Sequence, residues 1–70
     1  MIEAKDHYGK AIHKGMKCRW HDPEGESDGS IVYDVYEEPD LDGCYPEEAI
    51  IRLASLYGDV EAYPHECEVV

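Results

Sequence analysis

The sequence contains no phenylalanine and one tryptophan, and six lysines and arginines stand against seventeen aspartates and glutamates. Without phenylalanine, aromatic packing falls to Trp20 and six tyrosines, side chains that carry a polar tip and look for a partner when buried. The shortage of cations leaves a net charge of −11. Phosphate backbones and anionic lipid surfaces repel such a chain, so neither nucleic acid nor membrane is an expected partner. Long apolar runs are also missing, and nothing approaches the ~20 residues that cross a bilayer. The first residues, Met1–His7, lack the apolar stretch of a signal peptide, and a cytoplasmic setting is expected. Three cysteines, Cys18, Cys44 and Cys67, cannot all pair within one chain, which points to free thiols in a reducing compartment. Gly25 and Gly29 have neither the lysine nor the strand–helix context of a phosphate loop. No cofactor is expected.

Seventy residues make one domain whose thin core suits a binding surface better than a catalytic pocket. Charge is unevenly spread along it. Residues 1–19 set Lys5, Lys10, Lys14, Lys17 and Arg19 against Glu3 and Asp6, a balance of +3, whereas residues 20–70 set Arg52 against fifteen acids, a balance of −14. A basic partner or a divalent cation fits that balance, and so does solubility alone.

What is present is a period of two. In Gly15–Pro23, Met16, Cys18 and Trp20 share one face while Lys17 and Arg19 share the other, as a half-buried strand requires. Asp22–Gly29 carries proline, two glycines, serine and acids and reads as a loop. The run 30–37 is rich in β-branched and aromatic residues; Ile31, Tyr33 and Val35 face the core, and Val32, Asp34 and Tyr36 face out. Residues 38–48 form a second loop, broken by Pro39 and Pro46 and expected to be the most mobile part of the chain. Residues 47–57 admit two readings. Pro46, Glu47, Glu48 and Gly58 are placed as helix start and stop signals. Strand–turn–strand instead puts Ile51 and Leu53 inward, followed by a second run with Val60 and Ala62 on one face, and supplies the strands a stable sheet needs. The latter is favoured; the alternative is an α+β fold with a helix at 47–57. Beyond Pro64, Cys67 and Val69 alternate with Glu66 and Glu68, a short strand suited to a sheet edge. Residues 1–13 show no period and read as an irregular N-terminal arm, frayed at its start and held to the acidic remainder by weak surface charge. Residues 14–70 form the domain.

Five short strands, near 16–20, 30–37, 49–54, 59–63 and 66–69, with an acidic loop after the first and a last strand entered through Pro64, resemble the small SH3-like β-barrels. The resemblance implies a mostly β, five-stranded antiparallel barrel, with first and last strands side by side and Cys18 near Cys67. It also implies an interaction module rather than an enzyme. The proline-binding residues of SH3 domains are not carried over, because the ALYDY-type stretch and the tandem tryptophans are absent from this chain.

Candidate sites follow from residue type. Trp20, Tyr36 and Tyr63 are the candidate binding residues, since tyrosine and tryptophan dominate interface hot spots; the same residues also serve ordinary core and edge packing. Cys18, His21, His65 and Cys67 offer four nitrogen and sulfur ligands for a structural zinc ion. Against this, an unbroken strand puts Cys18 and His21 on opposite faces, and small buried thiols with surface imidazoles explain the same residues. Glu38, Asp40, Asp42 and Gly43 match part of a calcium loop, but Pro46 and Ala49 stand where ligands are needed. Cys44 lies in a loop with no neighbour in sequence that would lower its pKa, so catalysis is not expected. The expected function is a small acidic module that binds another protein, possessing no catalytic activity. The rivals are an acidic mimic of nucleic acid that blocks a basic protein, and a zinc-stabilised structural module.

Overall fold

Residues 3–41 and 45–70 are described by the structure, a computed structural model. Five strands follow the sequence alternation: β1 Lys17–His21, β2 Asp28–Val35, β3 Ile51–Ser55, β4 Gly58–Ala62 and β5 Cys67–Val69. They form one antiparallel sheet in the order β4-β3-β2-β1-β5. The fold is therefore mostly β, with two single 3-10 turns, Pro46–Glu48 and Pro64–Glu66, as its helical elements among the described residues.

The core lies on one face of the sheet. Cys18 pairs across β2 with Tyr33 and across β5 with Val69, Trp20 pairs with Cys67, Val35 with Leu53, and Ile51 with Ala62. All of these are buried. Val32, Asp34 and Tyr36 are exposed, so the inward and outward register of β2 is the one the alternation requires. The rings of Trp20 and Tyr33 meet in a T-shaped contact, 6.0 Å between centroids and 85° between planes.

The segment with two readings is strand–turn–strand. The helix signals around Pro46 yield a single 3-10 turn, and Ala49 leaves it with extended backbone (φ −61°, ψ 152°). The apolar run that follows then enters β3, turns at Leu56–Tyr57, and returns as β4. β-branched Ile50 and Ile51 favour this outcome, because they pack well on a pleated surface.

The sheet is not closed into a barrel, which corrects the expectation from resemblance. β4 and β5 are its two edges. The physical reason is visible at β5, whose outer edge is occupied by the N-terminal arm. The His7 N–H donates to the Cys67 carbonyl at 3.0 Å, and the Val69 N–H donates to Asp6 Oδ2 at 2.7 Å. With those groups satisfied, no further strand is needed there.

The arm is likewise anchored by burial, not by surface charge. Ala4 and Ile12 belong to the core. The Ile12 N–H donates to the Ala4 carbonyl at 2.9 Å, and Lys5 and Ala11 form an isolated bridge. Asp6 turns the chain between them. Its carboxylate accepts N–H bonds from Tyr8 (2.9 Å) and Lys10 (2.8 Å) as well as from Val69. Burial would push the Asp6 carboxyl up, but the N–H groups of Val69, Lys10 and Tyr8 outweigh it and hold the group below the ordinary value of 3.8.

Candidate functional site

A concavity of about 500 Å³ opens where the β1–β2 loop faces β4 and the turn before β5. Its walls are Trp20 and Tyr63, its floor is apolar (Ile50, Val60 and Ala62), and its rim carries Asp22, Glu24, Glu26, Glu61 and Glu66.

Each part is placed by local chemistry. The loop 22–27 is ordered by Asp22, whose carboxylate accepts the N–H groups of Glu24 (3.0 Å) and Glu26 (3.1 Å). Gly25 turns the chain at φ 89°, donating its N–H to the Asp22 carbonyl at 2.9 Å. Ser27 ties the loop back, its hydroxyl donating to the Trp20 carbonyl at 2.7 Å. On the far side, the Pro64–Glu66 turn is closed by Glu66. Its Oε1 accepts the Trp20 indole N–H at 3.1 Å and the Tyr63 N–H at 3.4 Å. One carboxylate thus fixes both aromatic walls.

Of the three aromatic candidates, the structure brings two together. Trp20 is 7% exposed and Tyr63 47% exposed, so the first is a fixed wall and the second a free face. The Tyr63 ring stacks on His65, 5.9 Å between centroids and 11° between planes. Tyr36 sits elsewhere, at the end of β2, where its N–H donates to the Arg52 carbonyl at 3.3 Å. Among the described residues, the ion pair that reaches a rim carboxylate is Arg52 with Glu61, at 3.4 Å. Arg52 also faces Glu37 and Asp40, each at 3.7 Å.

No family model matches this chain, and neither do any curated proteins or solved structures. The site is therefore read from its own geometry.

The four zinc candidates separate into two pairs on opposite sides of the sheet. Cys18 and Cys67 are free thiols buried in the core. His21 is exposed and meets Glu68 Oε1 at 3.0 Å. With His65, His7, Tyr8 and Glu68 it lines a second cavity of about 230 Å³. Among the described residues, no three His, Cys, Asp or Glu side chains are placed to hold a metal ion. Asp42, Gly43 and Cys44, which bear on the calcium-loop and thiol readings, lie outside the described residues.

Glu66, Glu61 and the Ile50–Val60 floor were not singled out in the sequence, because nothing local marks carboxylates or apolar side chains that meet only through folding. Asp6 and Asp22 did carry a signal. Asp6-His7-Tyr8-Gly9 and Asp22-Pro23-Glu24-Gly25 share the pattern Asp-x-x-Gly. Both fold alike, the aspartate accepting N–H bonds two and four residues on and the glycine holding positive φ, 85° and 89°. An Asx turn explains the pattern.

Proposed function

We propose that this chain is a binding module without catalytic activity, working in a reducing cytoplasmic setting, whose acidic cleft receives a cationic segment of another protein. The observation that carries the reading is the cleft itself, which sets an apolar floor and two aromatic walls inside a rim of five carboxylates. A lysine or arginine side chain suits that combination, since its aliphatic stem packs on apolar surface and its charged head meets the rim. A tyrosine face is also a favourable seat for a cation. The strand order, with β5 beside β1, supports an SH3-like arrangement of the sheet, an architecture that mostly serves interaction.

Titration of Trp20 fluorescence with an array of extended lysine- and arginine-bearing peptides tests the proposal. Saturable binding is expected for a subset, with affinity falling at least about tenfold in Tyr63→Ala and unchanged in Tyr36→Ala. Absence of saturable binding across the array refutes the cleft as a cation site. Binding that is lost steeply with salt, yet is indifferent to Tyr63→Ala, would instead favour the acidic-mimic reading.

A further inference from the structure

We infer that the cationic segment received by the cleft is held there as an added strand, hydrogen-bonded to the outer edge of β4, a mode of binding that rests on the cleft being a cation site.

The two edges of the sheet are finished differently. At β5 the N-terminal arm supplies partners, His7 for the Cys67 carbonyl and Asp6 for the Val69 N–H. At β4 none of the described residues does the same. The ladder fixes which groups are left over. The Arg52 carbonyl accepts the Tyr36 N–H at 3.3 Å, so Arg52 turns its backbone groups toward β2. In an antiparallel ladder this direction alternates residue by residue. Ile51, Leu53 and Ser55 therefore turn toward β4, where they face Ala62, Val60 and Gly58. The intervening residues of β4, Asp59 and Glu61, turn their N–H and C=O groups away from the sheet. Among the described residues no group bonds to them. The next outward position is closed, because the Tyr63 N–H donates to Glu66 Oε1 at 3.4 Å and its carbonyl accepts the Glu66 N–H at 3.0 Å. The open edge thus runs from the Leu56–Tyr57 turn to Tyr63. It lies along the concavity, whose lining includes Val60, Glu61 and Ala62. Unpaired edge groups are a template for an extended segment.

Charge selects the occupant. Asp59 and Glu61 are exposed, whereas Val60 packs against the core and Ala62 is buried. Arg52 meets Glu61 at 3.4 Å, and among the described residues no cation meets Asp59. Joining a second copy through both positions would set these acids against the same acids, and like charges directly opposite are destabilising. A foreign strand with lysine or arginine on the side of Asp59 and Glu61 gains attraction instead. Its alternate side chains then lie over Val60 and Ala62. The segment that fits is therefore extended, with basic and apolar residues taking turns.

The test titrates the full chain with the capped peptide Lys-Val-Lys-Val-Lys-Val-Lys and two backbone N-methylated forms, one methylated at the lysines and one at the valines. Methylation removes the N–H and keeps the side-chain charge. In antiparallel addition the lysines lie opposite Asp59 and Glu61, so their N–H groups face β4 and those of the valines face solvent. By Trp20 fluorescence, saturable binding is expected for the parent and the valine-methylated peptide, with affinity at least about tenfold weaker for the lysine-methylated one. Loss confined to the valine-methylated form would report parallel addition to the same edge. By NMR, the Asp59 and Glu61 amides should exchange at least about tenfold more slowly under saturating parent peptide. Equal affinities of the two methylated forms, or unchanged exchange at Asp59 and Glu61, overturn strand addition; the cleft still stands as a cation site if Tyr63→Ala weakens the same binding. Failure of this peptide while other cationic peptides bind through Tyr63 overturns strand addition alone, and failure of all of them overturns both.

Discussion

Replacing Asp6 should cost this domain a large share of its stability. Its carboxylate accepts three backbone N–H groups, from Tyr8, Lys10 and Val69, at 2.7–2.9 Å. The residue is 5% exposed. Hydrogen bonds to a charged group contribute about 1.5–3 kcal/mol each, and a donor left unpaired in the interior costs about 1–3 kcal/mol. These values do not add, because the three bonds share one side chain and the arm relaxes when they are lost. A net cost of about 3–4 kcal/mol for Asp6→Ala is therefore expected, against a total of about 4–10 kcal/mol for a domain of this size. Asp6→Asn should be nearly as severe, since an amide can keep one acceptor but must turn its NH₂ toward another N–H. At ~4–8 °C per kcal/mol for so small a domain, both variants should melt at least about 12 °C below the parent, followed by Trp20 fluorescence. The pH dependence supplies a second readout. The folded carboxyl lies below its ordinary value of 3.8, so its contribution is complete above that value and is lost as pH falls through the folded pKa. The gap between parent and Asp6→Asn should hold steady near neutrality and narrow below pH ~4. A gap of less than about 3 °C at neutral pH, or one that widens on acidification, would refute the argument that Asp6 latches the arm to β5.

Three further outcomes are expected. Gly29→Ala should destabilise by about 1–3 kcal/mol in urea unfolding, because Gly29 has φ 89° and an added Cβ would overlap the His21 ring; adding His21→Ala should recover part of the loss and leave the backbone strain. Leu53→Ala should cost about 2–5 kcal/mol, since Leu53 is fully buried between Val35 and Val60, and equilibrium unfolding reads it directly. His13 should titrate above 6.5 by NMR, raised chiefly by its hydrogen bond to Glu38 Oε1 at 3.0 Å; Glu38→Gln should bring the midpoint down, and because the folded value is raised, the His13–Glu38 pair holds at lower pH and is lost as pH rises through it.

Much of the sheet was legible from alternation. Cys18, Trp20, Tyr33, Val35, Leu53, Ala62, Cys67 and Val69 all face the core, on the side that a period of two assigns them. Strand against helix over 47–57 was less so, because Pro46, Glu47 and Glu48 are good helix-start residues that the structure spends on one 3-10 turn. The candidate site was legible only in part. Tyr63 and Trp20 meet in the cleft and Tyr36 does not, and spacing along the chain carries no information on that point.

What the sequence determined by itself is therefore local: which face each strand residue takes, where glycine and proline end a run, and how Asp-x-x-Gly folds back on its own N–H groups. These depend on torsions and neighbours a few residues away. The tertiary structure alone decided that the arm would cap β5 and leave the sheet open. It also decided that carboxylates from residues 22–26, 61 and 66 would share one rim. Those juxtapositions join segments some thirty-five or more positions apart, and only the simultaneous burial of one sheet face, with the backbone groups of the β5 edge finding partners, selects them.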